Sequence, residues 1–464
     1  MRAHILKRIA TSAAAGVTVL ALGVGVANAR PLHIRLPGRF AQQPTDAQCQ
    51  AAYGINCYDA AQIRHAYGVD QLDAHGITGR GETIVLVDSY GSPTIQSDLA
   101  AFDAGNNLPA PPSFEVITPA GTPPAWNPNV LTDQPGWAAE TTLDVEWSHA
   151  MAPGANIIEV ETPTDETEGV QGFPQMIQAE QYVIDHHLGN VISQSFGATE
   201  QTFQDANGNF DPSLIYALRY AFEDAAAKGV TVLAASGDAG ATDYELDLED
   251  FYPFRVIDWP SSDPLVTSVG GLQLYLDNNG NRTQPDNVWN DTLPVCGPPC
   301  AGSGGVSSAF SRPFYEDGVQ SVVGDQRGTP DASMSASVSG AVNIYESFPA
   351  GPGFPAVPGA WSPIAGTSEA SPLFSGEVAM ADQLAGHGLG PINPYLYEMD
   401  DGRFSGLTDI TLGNNTVTFT QPTTGQTITV QGYDAGPGYD LASGLGEANA
   451  AFPLELAAVA SRRY

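Results

Sequence analysis

From Tyr58 onward, short apolar runs and amphipathic stretches alternate along the chain. The β-branched runs Thr83–Asp88, Phe114–Thr118, Asn156–Glu161, Val191–Phe196, Thr231–Ala235 and Val266–Val269 carry little polarity and predict strands buried on both faces. Between them, Pro93–Phe102, Trp137–Ala150, Gln175–His187, Ser213–Lys228 and Ser371–Gln383 repeat apolar positions at helical spacing. Strands alternating with helices predict an α/β fold, a mainly parallel central sheet with helices on both faces. Such sheets collect their active sites at the carboxyl ends of strands. Here the glycine-rich exits Ser195-Phe196-Gly197 and Ser236-Gly237-Asp238 mark those ends. Asp277–Gly305 and Phe348–Gly366 read as loop-rich, the second leading into Gly366-Thr367-Ser368. No internal repeat occurs and no linker divides residues 58–464, which are expected to form one domain.

The chain begins differently. Arg2, Lys7 and Arg8 precede an apolar run from Ala13 to Val26, followed by Ala27-Asn28-Ala29. That order predicts a signal peptide over residues 1–29, hence a secreted, extracellular protein. The run is too short for a membrane anchor and no second span follows, so the mature chain is expected to carry no membrane segment. Residues 30–57 are rich in proline and glutamine and read as a short irregular segment. Export also accounts for the four cysteines. They admit more than one pairing, of which the local bridges Cys49–Cys57 and Cys296–Cys300 are the simplest; no histidines cluster beside either pair to suggest a metal.

Seventeen basic residues stand against 52 acidic ones, a formal net charge of -35. Such a surface repels nucleic acid and anionic membranes, which excludes both as partners. In acid many of the carboxylates would be protonated and their mutual repulsion would fall. A soluble acidic surface would show the same balance.

Ser368 follows a loop and opens an apolar helical run, where a nucleophile is exposed and near the positive end of a helix dipole. A helix N-cap would read the same way. None of the eight histidines stands in a His-Gly-Thr context that would supply the familiar base. An alternative base is present in Glu140 and Asp144, four residues apart and so on one helical face. Two carboxyls that close share a proton and act as a base in acid, where histidine is protonated. Two acids on a solvated face would be spaced identically. Asp238 ends a buried run at a glycine-flanked turn; a buried aspartic acid kept protonated donates to a developing oxyanion, although aspartate is also a common turn residue.

Taken together, these segments resemble the sedolisin family of serine-carboxyl peptidases, which share the subtilisin-like fold. The resemblance runs from Tyr58 nearly to the C-terminus. It is carried in order by YDAAQIRHAYGV, GWAAETTLD, SQSFG, LAASGDAGATD, VTSVGG, FSRP, RGTPDAS, GTSEASP and GPGYDLASGLG. It implies that Ser368 is the nucleophile, Glu140 its base, Asp144 the residue orienting Glu140, and Asp238 the oxyanion acid. It implies an edge at Ser195, Phe196 and Gly197 along which an extended peptide lies. It further implies one Ca²⁺ held by Asp409, Asp440 and the carbonyls of Ile410, Gly436 and Gly438, hard oxygen ligands on a glycine-rich loop.

The expected protein is thus a secreted, acid-acting endopeptidase, a monomer that hydrolyses polypeptides through an acyl-enzyme on Ser368. The sequence departs from the family at several points. Only residues 30–57 stand where a long pro-region is usual, Glu369 follows the nucleophile where a small residue is usual, and Asp88 occupies the place of the subtilisin triad acid. Without a catalytic histidine, Asp88 is expected to be structural. The rival readings are a secreted binding protein that kept the fold and lost catalysis, and a glycosidase using Glu140 and Asp144. In the latter, two carboxyls on one helix would not straddle a sugar and Ser368 would have no role.

Overall fold

The computed structural model describes residues 33–36, 39–292, 296–297, 299–349, 359–399 and 406–462. The signal-peptide reading of residues 1–29 lies outside them. Alternate side chains of Thr83–Ser89 (β1) show why this segment is a central strand. Ile84 and Leu86 join one apolar cluster, whereas Val85 and Val87 join another on the opposite face. The remaining strands of the same sheet are Phe114–Ile117 (β2), Asn156–Thr162 (β3), Val191–Gln194 (β4), Thr231–Ala235 (β5), Thr267–Gln273 (β6), Asn287–Val288 (β7), Ala332–Ser335 (β8), Leu407–Thr408 (β9) and Glu447–Ala448 (β10). Their order is β9-β10-β8-β6-β5-β4-β1-β3-β2, with β7 against β6. All pairs are parallel except β6/β7 and β9/β10.

Two helices, Gln134–Met151 (α1) and Thr367–Ala385 (α2), pack against each other on one face of the sheet. Phe173–Asp185 and Tyr220–Lys228 contribute to the apolar cluster on the other face. The helix expected over Ser213–Lys228 is broken into Pro212–Tyr216 and Tyr220–Lys228. Among the described residues, no helix is long and apolar enough to cross a membrane. The disulfides are Cys49–Cys57 and Cys296–Cys300, the two local bridges.

The segment ahead of Tyr58 is more ordered than its composition suggests. Asp46–Tyr53 is a helix with Thr45 and Gln48 forming a capping box. Asn56–Tyr58 and Ile34–Arg35 are strands of a smaller sheet built on Gly340–Glu346 and Ala360–Ala365. Arg35 and Arg39 both reach Glu346, and Phe40 exchanges two backbone hydrogen bonds with Trp361 at 2.8 Å. Leu36, Cys49, Ile55 and Cys57 belong to the main core, which a linker composition alone does not reveal.

Candidate active site

Helix α1 is buried almost all round, its carboxylates included. Glu140 and Asp144 therefore do not lie on a solvated face, as the spacing alone allowed, but inside the protein. Ser195, at the exit of β4, donates from Oγ to Asp144 Oδ1 at 2.9 Å. Asp144 also shares a hydrogen bond with Glu140. Burial first, then the nearby Asp88 and Glu140 carboxyls, push Asp144 well above the usual carboxylate range. Asp88, at the end of β1, lies against this pair and is itself pushed up by burial and by Glu140.

Ser368 sits in the first turn of α2, fully buried, with no hydrogen-bond partner for its Oγ among the described residues. Gly366 precedes it at φ 131°, a conformation L side chains rarely adopt. Four residues on, Pro372 has no N–H with which to bind the Ser368 carbonyl in the helix. That carbonyl instead lies 3.5 Å from Ser195 Oγ. Asp238 approaches from β5: its Oδ1 accepts from the Thr367 N–H at 2.7 Å and the Thr367 hydroxyl at 2.8 Å. Its Oδ2 is buried without a donor, and burial pushes the acid well above its ordinary value. Thr367 thus fixes one oxygen of Asp238 and leaves the other free.

Of the edge residues, Gly197 lines a cavity beside Asp238. Phe196 is fully buried and meets Phe173 edge to face, 6.0 Å between ring centroids, so its side chain belongs to the core. The Ser195 hydroxyl is committed to Asp144. Glu369 turns inward beside Ser335 and burial keeps it well above the carboxylate range, so in acid it adds no negative charge beside Ser368. At the other end of the chain, Asp440 Oδ2 accepts from the Gly436 N–H at 2.8 Å and Asp409 Oδ2 from the Gly438 N–H at 3.0 Å. Ser443 Oγ spans from Asp440 Oδ1 at 3.0 Å to the Ile410 carbonyl at 3.5 Å. Backbone N–H groups of the glycine-rich loop thus face both carboxylates, while the Ile410 carbonyl lies across Ser443 from Asp440; carboxylate and carbonyl oxygens are the ligands a hard cation takes.

Sequence reasoning missed His33, whose Nδ1 contacts Glu140 Oε2. Nothing in an irregular proline-rich segment signals that contact. It missed Thr367 as the anchor of Asp238, although Gly366-Thr367-Ser368 had already drawn notice. It also missed Glu166, Glu168 and Asp243, which line the cavity with Asp238.

Many carboxyls here are buried and raised: Asp144, Glu159, Glu166, Glu180, Asp238, Asp258 and Glu377 all lie well above their ordinary values, and Glu161 is pushed up to about 7. Each such group holds its proton in the folded state after the unfolded chain has begun to lose it. Their contribution to stability is therefore intact below about pH 4 and is lost as pH rises through the raised values. Thermal unfolding followed from about pH 3 to 8 should give the highest Tm at the acid end; a Tm that climbs from pH 4 to 7 would contradict this.

Comparison with known proteins follows the same lines. The chain is 31% identical over 427 residues to kumamolisin of Bacillus sp. (strain MN-32), covering 90% of this chain and 66% of that protein. It is 26% identical over 424 residues to xanthomonalisin of Xanthomonas sp. (strain T-22), covering 86% and 46%. The chain thus spans between about half and two-thirds of these curated relatives. The structure of Pseudomonas sedolisin, a serine-carboxyl proteinase complexed with pseudo-iodotyrostatin, superposes with a TM-score of 0.66 over 88% of this chain and 98% of that one, at 24% identity. No protein-family model matches.

Proposed function

The chain belongs to the sedolisin family, with its subtilisin-like fold, and on that premise we propose that it is a secreted serine-carboxyl endopeptidase working in acid. The observation that carries this reading is a pair of buried polar atoms, on Ser368 and Asp238, left without partners while their neighbours are held in place. Ser368 Oγ and Asp238 Oδ2 have no donor or acceptor among the described residues, while Thr367 and Ser195 hold Asp238 and Asp144 in place. In this reading Ser368 attacks a peptide carbonyl and Glu140 takes its proton. Asp144, kept protonated by its burial, donates to Glu140 and so orients it. Protonated Asp238 donates to the oxyanion. The acyl-enzyme on Ser368 is then hydrolysed by water activated by Glu140, and the backbone from Ser195 to Gly197 offers the extended substrate an edge. The rival of a silent binding protein is opposed by the retention of all four side chains.

Residues 33–36 lie beside this machinery, with His33 on Glu140 and Ile34 opposite Ala365 on the strand leading to Ser368. A peptide reaching Glu140 must displace His33. Incubating the purified monomer with mixed peptides in acid and identifying fragments by mass spectrometry tests the reading; no fragments at any pH from about 3 to 7 would overturn it.

Asp409 and Asp440, with the carbonyls of Ile410, Gly436 and Gly438, would hold one Ca²⁺, which ties the two loops together. Chelation should then lower Tm by about 5 °C or more, with calcium restoring it, and Asp440→Asn should not respond to calcium. A Tm indifferent to chelator and calcium alike would remove the ion from this account.

A further inference from the structure

The face of the sheet under α1 turns from apolar to acidic along two neighbouring strands. On β1, Ile84 and Leu86 point into the main core and Asp88 follows on the same side. On β3, Ile157 points into that core and Glu159 and Glu161 follow. The strands are parallel, with Leu86 opposite Glu159 and Asp88 opposite Glu161, so Asp88 and Glu159 are diagonal neighbours on one face. Both are fully buried. Their four oxygens meet no close N–H or hydroxyl donor among the described residues. They share a hydrogen bond with each other instead, and Asp88 also faces Thr141 of α1, next to Glu140.

Two carboxyls satisfy each other only through protons. Each protonated carboxyl carries one donor and spare acceptors, so two of them close a reciprocal pair without outside help. Burial above all pushes both well above the usual carboxylate range, which keeps both protons in acid. The titratable groups that bear on the pair are Glu140 and Asp144 on α1 and Glu161 on β3. On the flanking strands Val116 of β2 stands opposite Glu159 and Ser193 of β4 opposite Leu86, and neither titrates. These neighbours are acidic or uncharged, so an anion formed here would be buried beside like charges. A hydrophobic residue at position 159 would continue the apolar face without that risk. What the acid adds is a partner for Asp88.

Resting on the peptidase reading above, we propose that Glu159 is a positioning residue: it closes a two-proton carboxylic acid pair with Asp88 beneath α1 and so seats Glu140 and Asp144, an arrangement that lasts only while both protons stay. The first proton to leave ends the reciprocity, and the second sets two buried anions against each other. The contribution of the pair is therefore whole in acid and lost as pH rises through the raised values of the two acids.

The test compares Glu159→Gln and Glu159→Val in the full chain. An amide donates to Asp88 and accepts from it as the acid does, but has no proton to lose. At one acid pH, Glu159→Val should lower kcat per folded molecule by about tenfold with KM within about threefold, and Glu159→Gln should restore kcat to within about threefold of wild type. After incubation at about pH 7.5 and return to acid, the activity of Glu159→Gln should decay with a half-life about tenfold longer than that of wild type. Wild-type kcat in Glu159→Val, no recovery in Glu159→Gln, or an unchanged half-life overturns the proposal. If Glu159→Val does not fold, the half-life of Glu159→Gln decides alone. Hydrogen exchange over Gln134–Met151, corrected for the intrinsic rate, separates this idea from the peptidase reading. From about pH 4 to 7.5 it should quicken about tenfold in the wild type but not in Glu159→Gln. That result without cleavage of any peptide keeps the pair and sinks the peptidase reading. Cleavage, with exchange and half-life alike in wild type and Glu159→Gln, sinks the role of Glu159 alone.

Discussion

Replacing Ser368 by alanine should lower kcat on peptides by about 10⁴-fold or more while leaving the fold intact. The two effects separate because Ser368 Oγ makes no hydrogen bond in the described structure, so its removal leaves no buried partner unsatisfied. Alanine is also well suited to the first turn of α2. Thr367, whose hydroxyl and N–H hold Asp238, is untouched. Activity and Tm measured on the same preparation check both halves. Turnover within about tenfold of wild type would mean that another group is the nucleophile.

The order of strands and helices was legible because buried parallel strands are continuous apolar runs, and Thr83–Ser89 or Thr231–Ala235 resemble nothing else in the chain. The pairing of Glu140 with Asp144 was legible as geometry but ambiguous as environment. Spacing places two acids on one face, whereas only packing decides whether that face meets water or α2. Helix starts were less visible. A helix was expected over Ser371–Gln383, yet it begins at Thr367 and runs through Pro372, whose missing N–H leaves the Ser368 carbonyl facing Ser195 Oγ. The acidic cavity could not be read at all. Glu166 and Glu168 come from one segment and Asp238 and Asp243 from another of a chain already rich in acids, and only the fold assembles them. The same holds for His33 on Glu140, where the two residues are 107 positions apart.

The second large effect is on stability. Arg327, in Arg327-Gly328-Thr329-Pro330-Asp331, is fully buried and sits between Glu316 at 2.5 Å and Asp331, which it grips through both terminal nitrogens at 2.7 and 2.5 Å. Asp331 in turn accepts from the Ser268 N–H at 2.8 Å and from Tyr397 Oη at 3.0 Å, and so fastens β8 to β6. Arg327→Met keeps the volume but leaves two buried carboxyls without their cation. Loss of one partner from a buried pair costs about 3–5 kcal/mol. Glu316 already stands at about 7, so with the guanidinium gone it is neutral in acid. The destabilisation should therefore be larger at pH 7 than at pH 4, measured by denaturant unfolding at both. A loss under about 1 kcal/mol at pH 7 would show that the cluster does not hold the fold.

In the proposed mechanism carboxyl groups serve as both base and oxyanion donor, and the pH dependence of kcat/KM for the wild type beside Asp238→Asn tests this most directly. Asp238 donates only while protonated, and burial keeps it so to well above the ordinary carboxylate range. Wild-type kcat/KM should accordingly be greatest in acid and fall as pH rises through that raised value. The amide of Asp238→Asn donates at every pH, so whatever activity it retains should lose that falling limb. A wild-type profile that instead climbs between about pH 6 and 7.5, as an imidazole base shedding its proton would give, and that Asp238→Asn leaves unchanged, would contradict the account.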